Sequence, residues 1–326
     1  VWGFEWLNEI SQGDKTKHPV EDYVKFCRIG TKVLREVDPA ARVQMAGGLW
    51  PRSYRLDVIR GGVLDAIDVL PVHYGSYGSV AEAIRDAKAG GCEEVWDNES
   101  ARGISVWKMS PLEQLYCSVT QCSYLLRQWP GEFVAGAKAV TYFGGEANAP
   151  GNWTYLLDDY TPRPVLATLA VFASKLGGST PVGAAYLSPG AIVYLFRRTD
   201  GKGLAYVMSE SEGCEKPSHY SASAQILAAE PVNVSLPVGG SAAVRVTDYQ
   251  GNERRAKTEG GFLRIAAKPI PVIVEGFDLE PLAATCSLSI GGQDALTPKP
   301  SVRCVSGAAA RVDVRVRFLF YTSLWG

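Results

Sequence analysis

Two glutamates in the first hundred residues stand where acid–base or nucleophilic chemistry could be done. Glu9 ends the stretch Glu5-Trp6-Leu7-Asn8-Glu9, and Glu99 ends a second stretch that begins at Glu94. If both stretches are strands of one parallel barrel, their carboxyl groups lie at the same rim. Two carboxyl groups about 5–5.5 Å apart can cleave a glycosidic bond with retention, one as nucleophile and one as general acid and base. Either glutamate alone could instead cap a helix or face solvent.

A histidine and a tyrosine follow a third apolar run, in Leu70-Pro-Val-His73-Tyr74. An imidazole and a phenol at the same rim could bond sugar hydroxyls or orient a nucleophile. Such a pair, taken alone, is more often a satisfied part of a core. Because all three sets of polar groups fall where a predicted strand ends, a shared site is the stronger interpretation.

Strands and helices that alternate through the first 176 residues would position these side chains. The predicted strands are Val1–Leu7, Val43–Gly47, Ala66–Val72, Glu94–Asp97 and Ala139–Phe143. The predicted helices are Val20–Val37, Tyr54–Val63, Val80–Ala89, Pro111–Trp129 and Pro162–Leu176. A strand followed by a helix about every 25–45 residues predicts parallel strands joined by right-handed crossovers.

The sequence changes character after about residue 178. Short β-branched runs recur there at a spacing of roughly ten residues, separated by turn signals such as Asp200-Gly201, and this pattern predicts a β-sandwich. The runs are Ala191–Phe196, Leu204–Met208, Val232–Leu236, Ala242–Val246, Phe262–Ile265, Val272–Val274, Cys286–Ile290, Val302–Val305 and Val312–Tyr321. We therefore predict two domains, 1–178 and 179–326.

Composition argues against several classes of function. Thirty-three Lys and Arg against thirty-four Asp and Glu give a net charge of −1, which disfavours nucleic acids and anionic lipid as partners. No apolar run reaches the roughly 18 residues of a membrane-spanning helix. The seven cysteines form no C-x-x-C pair and the three histidines are widely spaced, so neither a metal nor a cofactor is expected. The absence of a G-x-S-x-G motif and of a phosphate loop disfavours a serine hydrolase and a nucleotide-binding enzyme.

The strand order and the Asn8-Glu9 pair resemble the second half of a clan A glycoside hydrolase barrel. In that clan the acid/base glutamate ends the fourth strand in an Asn-Glu pair, and the nucleophile ends the seventh strand. The resemblance makes the five predicted strands numbers four to eight of a (β/α)8 TIM barrel. Tyr160–Leu169 is similar to the segment that leads into a β-sandwich in family 39-like members, and Val244–Asn252 and Pro269–Gly276 are similar to the end of that sandwich.

The resemblance implies a role for each polar group at the rim. Glu9 would protonate the glycosidic oxygen and later activate water, and Glu99 would form the glycosyl-enzyme. Asn8 would bond the sugar 2-hydroxyl, Tyr74 would hydrogen-bond the nucleophile, and His73 would line the same subsite. These roles are expectations that the geometry of the site must meet.

Two tryptophans and three departures from the clan pattern complete the comparison. Trp50, after strand five, and Trp153, after strand eight, are candidate stacking platforms for sugar rings, or else part of the core or rim. Ile10 stands where proline is usual, and strand eight ends without the tryptophan that many members have. Strands one to three are not present, and we expect them on the native polypeptide. Because the chain begins at Val1 without an initiator methionine, the compartment is left open, and an extracytoplasmic or secreted location is one hypothesis.

The resulting hypothesis is a retaining glycoside hydrolase that cleaves poly- or oligosaccharides by double displacement, without a cofactor. The alternative is a non-catalytic carbohydrate-binding protein derived from such a barrel. Loss of one of the two glutamates would favour that alternative, and both are present.

Overall fold

The computed structural model describes residues 3–11, 19–101, 110–144, 155–157, 159–210, 220–279, 282, 287–291 and 299–303. The chain divides into two compact units, Val1–Asp278 and Leu279–Gly326. In the smaller unit, Ser287–Gly291 pairs with Lys299–Arg303 in antiparallel register. The predicted strand Val312–Tyr321 lies outside the described residues.

A five-stranded parallel sheet forms the first part of the larger unit, as the alternation of runs predicts. Its strands are β1 (Phe4–Glu5), β2 (Val43–Gln44), β3 (Val69–His73), β4 (Glu94–Ser100) and β5 (Ala139–Tyr142), and each pairs with the next. Because the strands are parallel and follow chain order, their carboxyl ends lie at one edge of the sheet.

Helices separate and follow these strands. They are α1 (Val20–Val37), α2 (Arg52–Arg60), α3 (Tyr77–Ala89), α4 (Pro111–Ala135) and α5 (Pro164–Leu176). Helix α1 buries Tyr23, Val24 and Cys27 in the core, at the spacing of one helical face. Helix α2 ends three residues earlier than predicted, because Gly61 and the left-handed Gly62 (φ +83°) interrupt it.

Helix α4 is longer than predicted. The predicted helix ends at Trp129, but the helix continues through Pro130 to Ala135. A proline removes one backbone hydrogen bond and crowds the preceding turn. The added turns are retained because Phe133 packs against an apolar cluster, where its ring stacks on Phe172 at a centroid distance of 6.4 Å.

Antiparallel sheets follow helix α5. The elements in chain order are β6 (Thr180–Ser188), β7 (Ala191–Arg197), β8 (Gly203–Ser209), α6 (Tyr220–Ala228), β9 (Val232–Pro237), β10 (Ala243–Thr247), β11 (Glu253–Lys257), β12 (Phe262–Ala267) and β13 (Val272–Phe277). Six strands form one sheet in the order β11-β10-β13-β8-β7-β6, and β12 pairs with β9 in a second.

Three of these elements have no counterpart among the predicted runs: β6, α6 and β11. Strand β6 carries Gly183, Ala184 and Ala185 where a buried strand usually has β-branched residues. Strand β11 lies at the sheet edge, and Ala256 is its buried residue. An edge strand that faces water needs no apolar run, and charged side chains protect it from pairing with other chains.

The change from parallel to antiparallel pairing occurs near residue 178, where the sequence predicts a domain boundary. Trp129 and Phe172, from α4 and α5, share one apolar cluster with Phe196 and Tyr206 of the antiparallel sheet. Both parts therefore belong to one compact unit, and their assignment as two domains stays a prediction. No helix in the described part of the chain is both long and apolar enough to span a membrane.

Candidate active site

The carboxyl edge of the parallel sheet brings Glu9, His73, Tyr74 and Glu99 together. Glu9 follows β1, and its backbone N–H donates to the Gly47 carbonyl at 3.2 Å. His73 ends β3 and Glu99 lies near the end of β4, where the two are register partners. The Tyr74 N–H donates to the Glu99 carbonyl at 2.8 Å. Backbone hydrogen bonds and strand register therefore position all four residues at the same edge of the sheet.

His73 lies between the two predicted catalytic carboxyl groups. Its Nδ1 is 3.1 Å from Glu9 Oε1 and 3.6 Å from Glu99 Oε2. One oxygen of each glutamate and a ring nitrogen of His73 all lie within 4.8 Å of one another. The His73 side chain is 1% exposed, against 30% for Glu9 and 15% for Glu99. The imidazole therefore forms the floor of the site, and both carboxyl groups are open to a ligand.

Tyr74 distinguishes the two glutamates, because its hydroxyl donates to Glu99 Oε1. Burial and the Glu99 carboxylate both raise the pKa of Tyr74, so the phenol keeps its proton and remains a donor. This hydrogen bond orients the Glu99 carboxyl group within the site.

Two glycines after β2 make room for the imidazole. A Cβ at Gly47 would lie 2.1 Å from His73 Nε2, and a Cβ at Gly48 would lie 2.6 Å from His73 Nδ1. Gly48 also has a φ of +61°, a backbone conformation that residues with a Cβ rarely adopt. The sequence analysis missed both residues, although the Gly47-Gly48 pair at the end of a predicted strand was a signal for close approach.

A third glutamate, which the sequence analysis also missed, lies inside the site. Glu5 Oε1 accepts from the Gly47 N–H at 2.7 Å, and Glu5 Oε2 accepts from Asn98 Nδ2 at 2.8 Å. Burial raises the pKa of Glu5, against the lowering effect of the Gly47 hydrogen bond. Glu5 thus connects Gly47, which follows β2, with Asn98, the residue before Glu99 on β4. These two hydrogen bonds hold the segments at the carboxyl ends of β2 and β4 in register with each other.

Left-handed backbone is concentrated at the same edge. Among the described residues, the non-glycine positions with positive φ are Leu7, Glu9, Tyr74 and Tyr160, and the first three surround the site. Such conformations cost of the order of 1–3 kcal/mol each, and they persist where the surrounding structure requires them. Here they turn the Glu9 and Tyr74 segments at the strand ends.

Comparison with known proteins gives the fold. No family model and no curated protein matches the chain. A family 39 glycoside hydrolase from Bacteroides cellulosilyticus WH2 matches over 84% of this chain and 58% of its own, with a TM-score of 0.61 and 15% identity. The fold is that of a clan A glycoside hydrolase.

Two further solved structures match in the same way. An α-L-arabinofuranosidase from Thermotoga maritima, an arabinose complex, has a TM-score of 0.53 and 11% identity over 83% of this chain. A family 39 β-xylosidase from Caulobacter crescentus has a TM-score of 0.50 and 14% identity over 85% of this chain. This chain spans 65% and 66% of those two chains. The clan A resemblance in the sequence is thus confirmed for the fold.

The remaining predicted site residues have mixed outcomes. Asn8 is exposed, next to Glu9. Trp50 is 53% exposed, and its backbone N–H donates at 2.8 Å to the Ser11 hydroxyl, in the segment that follows Glu9. Trp153 lies outside the described residues. The roles of Asn8 and both tryptophans stay predictions.

Glu9, His73 and Glu99 are also close enough together to hold a metal ion. Tyr74 already donates to Glu99, and His73 already contacts Glu9.

Proposed function

We propose that this chain carries the catalytic pair of a retaining glycoside hydrolase, with Glu99 as nucleophile and Glu9 as general acid and base. The observation that supports this most strongly is the approach of the two carboxyl groups to within 4.8 Å, at the carboxyl edge of a clan A fold. A short separation is typical of retaining enzymes, whereas inverting enzymes need room for water between the carboxyl groups.

In the first step, the Glu99 carboxylate attacks the anomeric carbon while the bond to the leaving oxygen breaks. Glu9 gives its proton to that oxygen, so the leaving group departs as an alcohol and a glycosyl ester of Glu99 remains. Tyr74 holds the attacking carboxylate through its donated hydrogen bond. Asn8 would bond the sugar 2-hydroxyl, an interaction that strengthens in the transition state.

In the second step, the Glu9 carboxylate removes a proton from water while the water oxygen attacks the anomeric carbon. The ester bond to Glu99 breaks, and the configuration of the sugar is restored. His73, 3.1 Å from Glu9, is placed to keep the Glu9 side chain oriented through both steps.

The larger architecture belongs to the same proposal. Strands β1 to β5 correspond to strands four to eight of a (β/α)8 barrel, and the antiparallel sheets after residue 178 form a β-sandwich domain. The substrates are poly- or oligosaccharides, bound with the exposed ring of Trp50 as a stacking surface.

The test is hydrolysis of aryl glycosides by the protein and by its Glu99→Ala and Glu9→Ala variants. The panel should begin with xylosides and arabinofuranosides, the sugars named for two of the matching structures. Glu99→Ala should abolish turnover. Glu9→Ala should recover turnover of activated substrates when azide is added, and the glycosyl azide should have retained configuration.

Glu93→Ala is the matched control, because Glu93 is an exposed acid just before the opposite end of β4. Full activity in Glu99→Ala would contradict the assignment of the nucleophile. Binding of glycans with no hydrolysis by the unaltered protein would favour the non-catalytic alternative.

A further inference from the structure

Two more acids are buried next to the site and have no part in the proposed steps. Asp97 lies on β4, two residues before Glu99, and Glu132 lies on the part of α4 that continues past Pro130. Both are 0% exposed. A buried carboxyl group is costly unless it is paired or protonated, so the presence of two in one place needs an explanation.

Asp97 connects the backbone segments that carry the nucleophile and its tyrosine. Its Oδ2 accepts from the Gly75 N–H at 2.6 Å, and its Oδ1 accepts from the Glu99 N–H at 3.2 Å. Gly75 directly follows Tyr74, whose hydroxyl donates to Glu99. The Asp97 carboxylate therefore binds the backbone next to Tyr74 and the backbone of Glu99, the two residues whose side chains are hydrogen-bonded to each other.

Glu132 lies beside Asp97. Neither oxygen of Glu132 has a hydrogen-bond partner in the described part of the chain, and its Oε2 lies against the same Cβ position of Gly75 as Asp97 Oδ2. Two adjacent carboxyl groups can form a hydrogen bond to each other only when one of them carries a proton. Burial and the charge of Asp97 raise the pKa of Glu132 well above its usual range, which places the proton on Glu132.

Gly75 shows how closely the pair is packed against the site. A Cβ at this position would lie 2.9 Å from Asp97 Oδ2 and 2.9 Å from Glu132 Oε2. The chain can pass here only because residue 75 has no side chain. The carboxyl pair is therefore in direct contact with the turn that carries Tyr74.

We propose that Glu132, acting through Asp97, is a positioning residue for the Tyr74–Glu99 pair. Protonated Glu132 donates to Asp97, and the oriented Asp97 carboxylate fixes the Gly75 and Glu99 N–H groups. This inference rests on the proposed glycosidase function, since it assigns the pair to the alignment of the nucleophile.

The test compares Glu132→Gln with Glu132→Leu. The glutamine amide still donates to Asp97, so its kcat should stay close to that of the unaltered protein. Leucine removes the donor at similar volume, and kcat should fall on the order of 10- to 100-fold, since small displacements of reacting groups have effects of this size. KM should change little, because neither acid is exposed to substrate. Equal kcat in both folded variants would overturn the proposal.

A spectroscopic readout tests the shared proton without activity. The infrared difference spectrum between the unaltered protein and Glu132→Gln near neutral pH should contain the carbonyl stretch of a protonated carboxylic acid. Its absence would show an ionised Glu132 and overturn the proposal. If Glu132→Leu does not fold, Asp97→Asn replaces it, and kcat should fall because an amide cannot accept from both N–H groups through two oxygens.

Failure of the proposed function gives a different result. A protein that folds, has the infrared band and hydrolyses no glycoside overturns both ideas. A protein that hydrolyses glycosides and is unaffected by Glu132→Leu overturns only the positioning role.

Discussion

Single hydrogen bonds distinguish the two glutamates of the proposed catalytic pair. The Tyr74 hydroxyl donates to Glu99, whereas Glu9 has the His73 ring as its neighbour. Replacing Tyr74 by phenylalanine removes one donor to a carboxylate, an interaction worth about 1.5–3 kcal/mol. We therefore expect the kcat/KM of Tyr74→Phe for aryl glycosides to fall on the order of 10- to 100-fold.

Tyr160→Phe is the matched control for this change, because Tyr160 is 71% exposed. The melting temperature of Tyr74→Phe should stay near that of the unaltered protein. Unchanged kcat/KM in a folded Tyr74→Phe would mean that the hydroxyl does not act on the nucleophile.

The close packing of Gly47 against the His73 ring gives a second prediction. Alanine at position 47 would place a methyl group 2.1 Å from His73 Nε2, so the ring must leave its position beside Glu9 and Glu99. Steady-state kinetics of Gly47→Ala should show a loss of kcat of the order of 100-fold, the size that a displacement of about 1 Å can cause.

Gly78→Ala serves as the control for Gly47→Ala. A Cβ at Gly78 meets nothing within 4 Å, and the position lies in a helix, where alanine is favoured over glycine. Activity in Gly78→Ala should be unchanged. A Gly47→Ala protein with normal kcat would show that the ring position is not required.

At this scale the sequence could predict the groups that stand at strand ends. Glu9, His73, Tyr74 and Glu99 follow apolar runs, and parallel strands bring such groups together. Glu5 was not predicted, because an acid inside an apolar run has no local sign that it faces the site.

The two buried acids, Asp97 and Glu132, lie on β4 and α4. Their burial makes the free energy of unfolding depend on pH. Glu132 has a raised pKa in the folded state, so the folded protein keeps a proton that the unfolded chain releases above about pH 4.5. The free energy of unfolding therefore falls as pH rises through this window, by up to about 1.4 kcal/mol per pH unit. Above the folded pKa the loss is complete.

Urea unfolding of the unaltered protein and of Glu132→Gln at a series of pH values from 5 to 8 measures this effect. Glutamine does not titrate, so the variant should show a shallower fall in stability. Parallel curves for the two proteins would mean that Glu132 is ionised when folded.

The same two elements show why part of the fold could not be predicted. The end of α4 was misplaced because a proline usually ends a helix, and the packing of Phe133 against Phe172 is a contact between segments distant in sequence. Glu132 lies on that continuation, so its contact with Asp97 was hidden as well. Strand β11 was missed because an exposed edge strand carries no apolar alternation.

Across the whole larger unit, one charge cluster joins the parallel and antiparallel parts. Glu275 on β13 has a side chain 3% exposed, and it pairs with Lys175 of α5 at 2.6 Å and with Arg198. Removing one partner of a buried ion pair costs about 3–5 kcal/mol. Glu275→Ala should therefore lower the free energy of unfolding by about that amount, and the exposed Glu259 offers a neutral control as Glu259→Ala.

Tryptophan fluorescence and circular dichroism test whether the parallel and antiparallel parts of the larger unit unfold together in Glu275→Ala. Seven of the eight tryptophans lie at or before residue 153, so fluorescence follows the first part, whereas far-ultraviolet circular dichroism follows the whole chain. Because one apolar cluster joins both parts, the two transitions should coincide in urea. Separate transitions would support independent domains divided near residue 178.

The central claim is that Glu99 forms a covalent bond to the sugar. It is tested most directly by inactivating the protein with activated 2-deoxy-2-fluoro glycosides and locating the label by mass spectrometry of peptides. We predict one sugar per chain, in ester linkage to Glu99. A label on Glu9 or on another carboxyl group, in a protein that hydrolyses the parent glycoside, would contradict it.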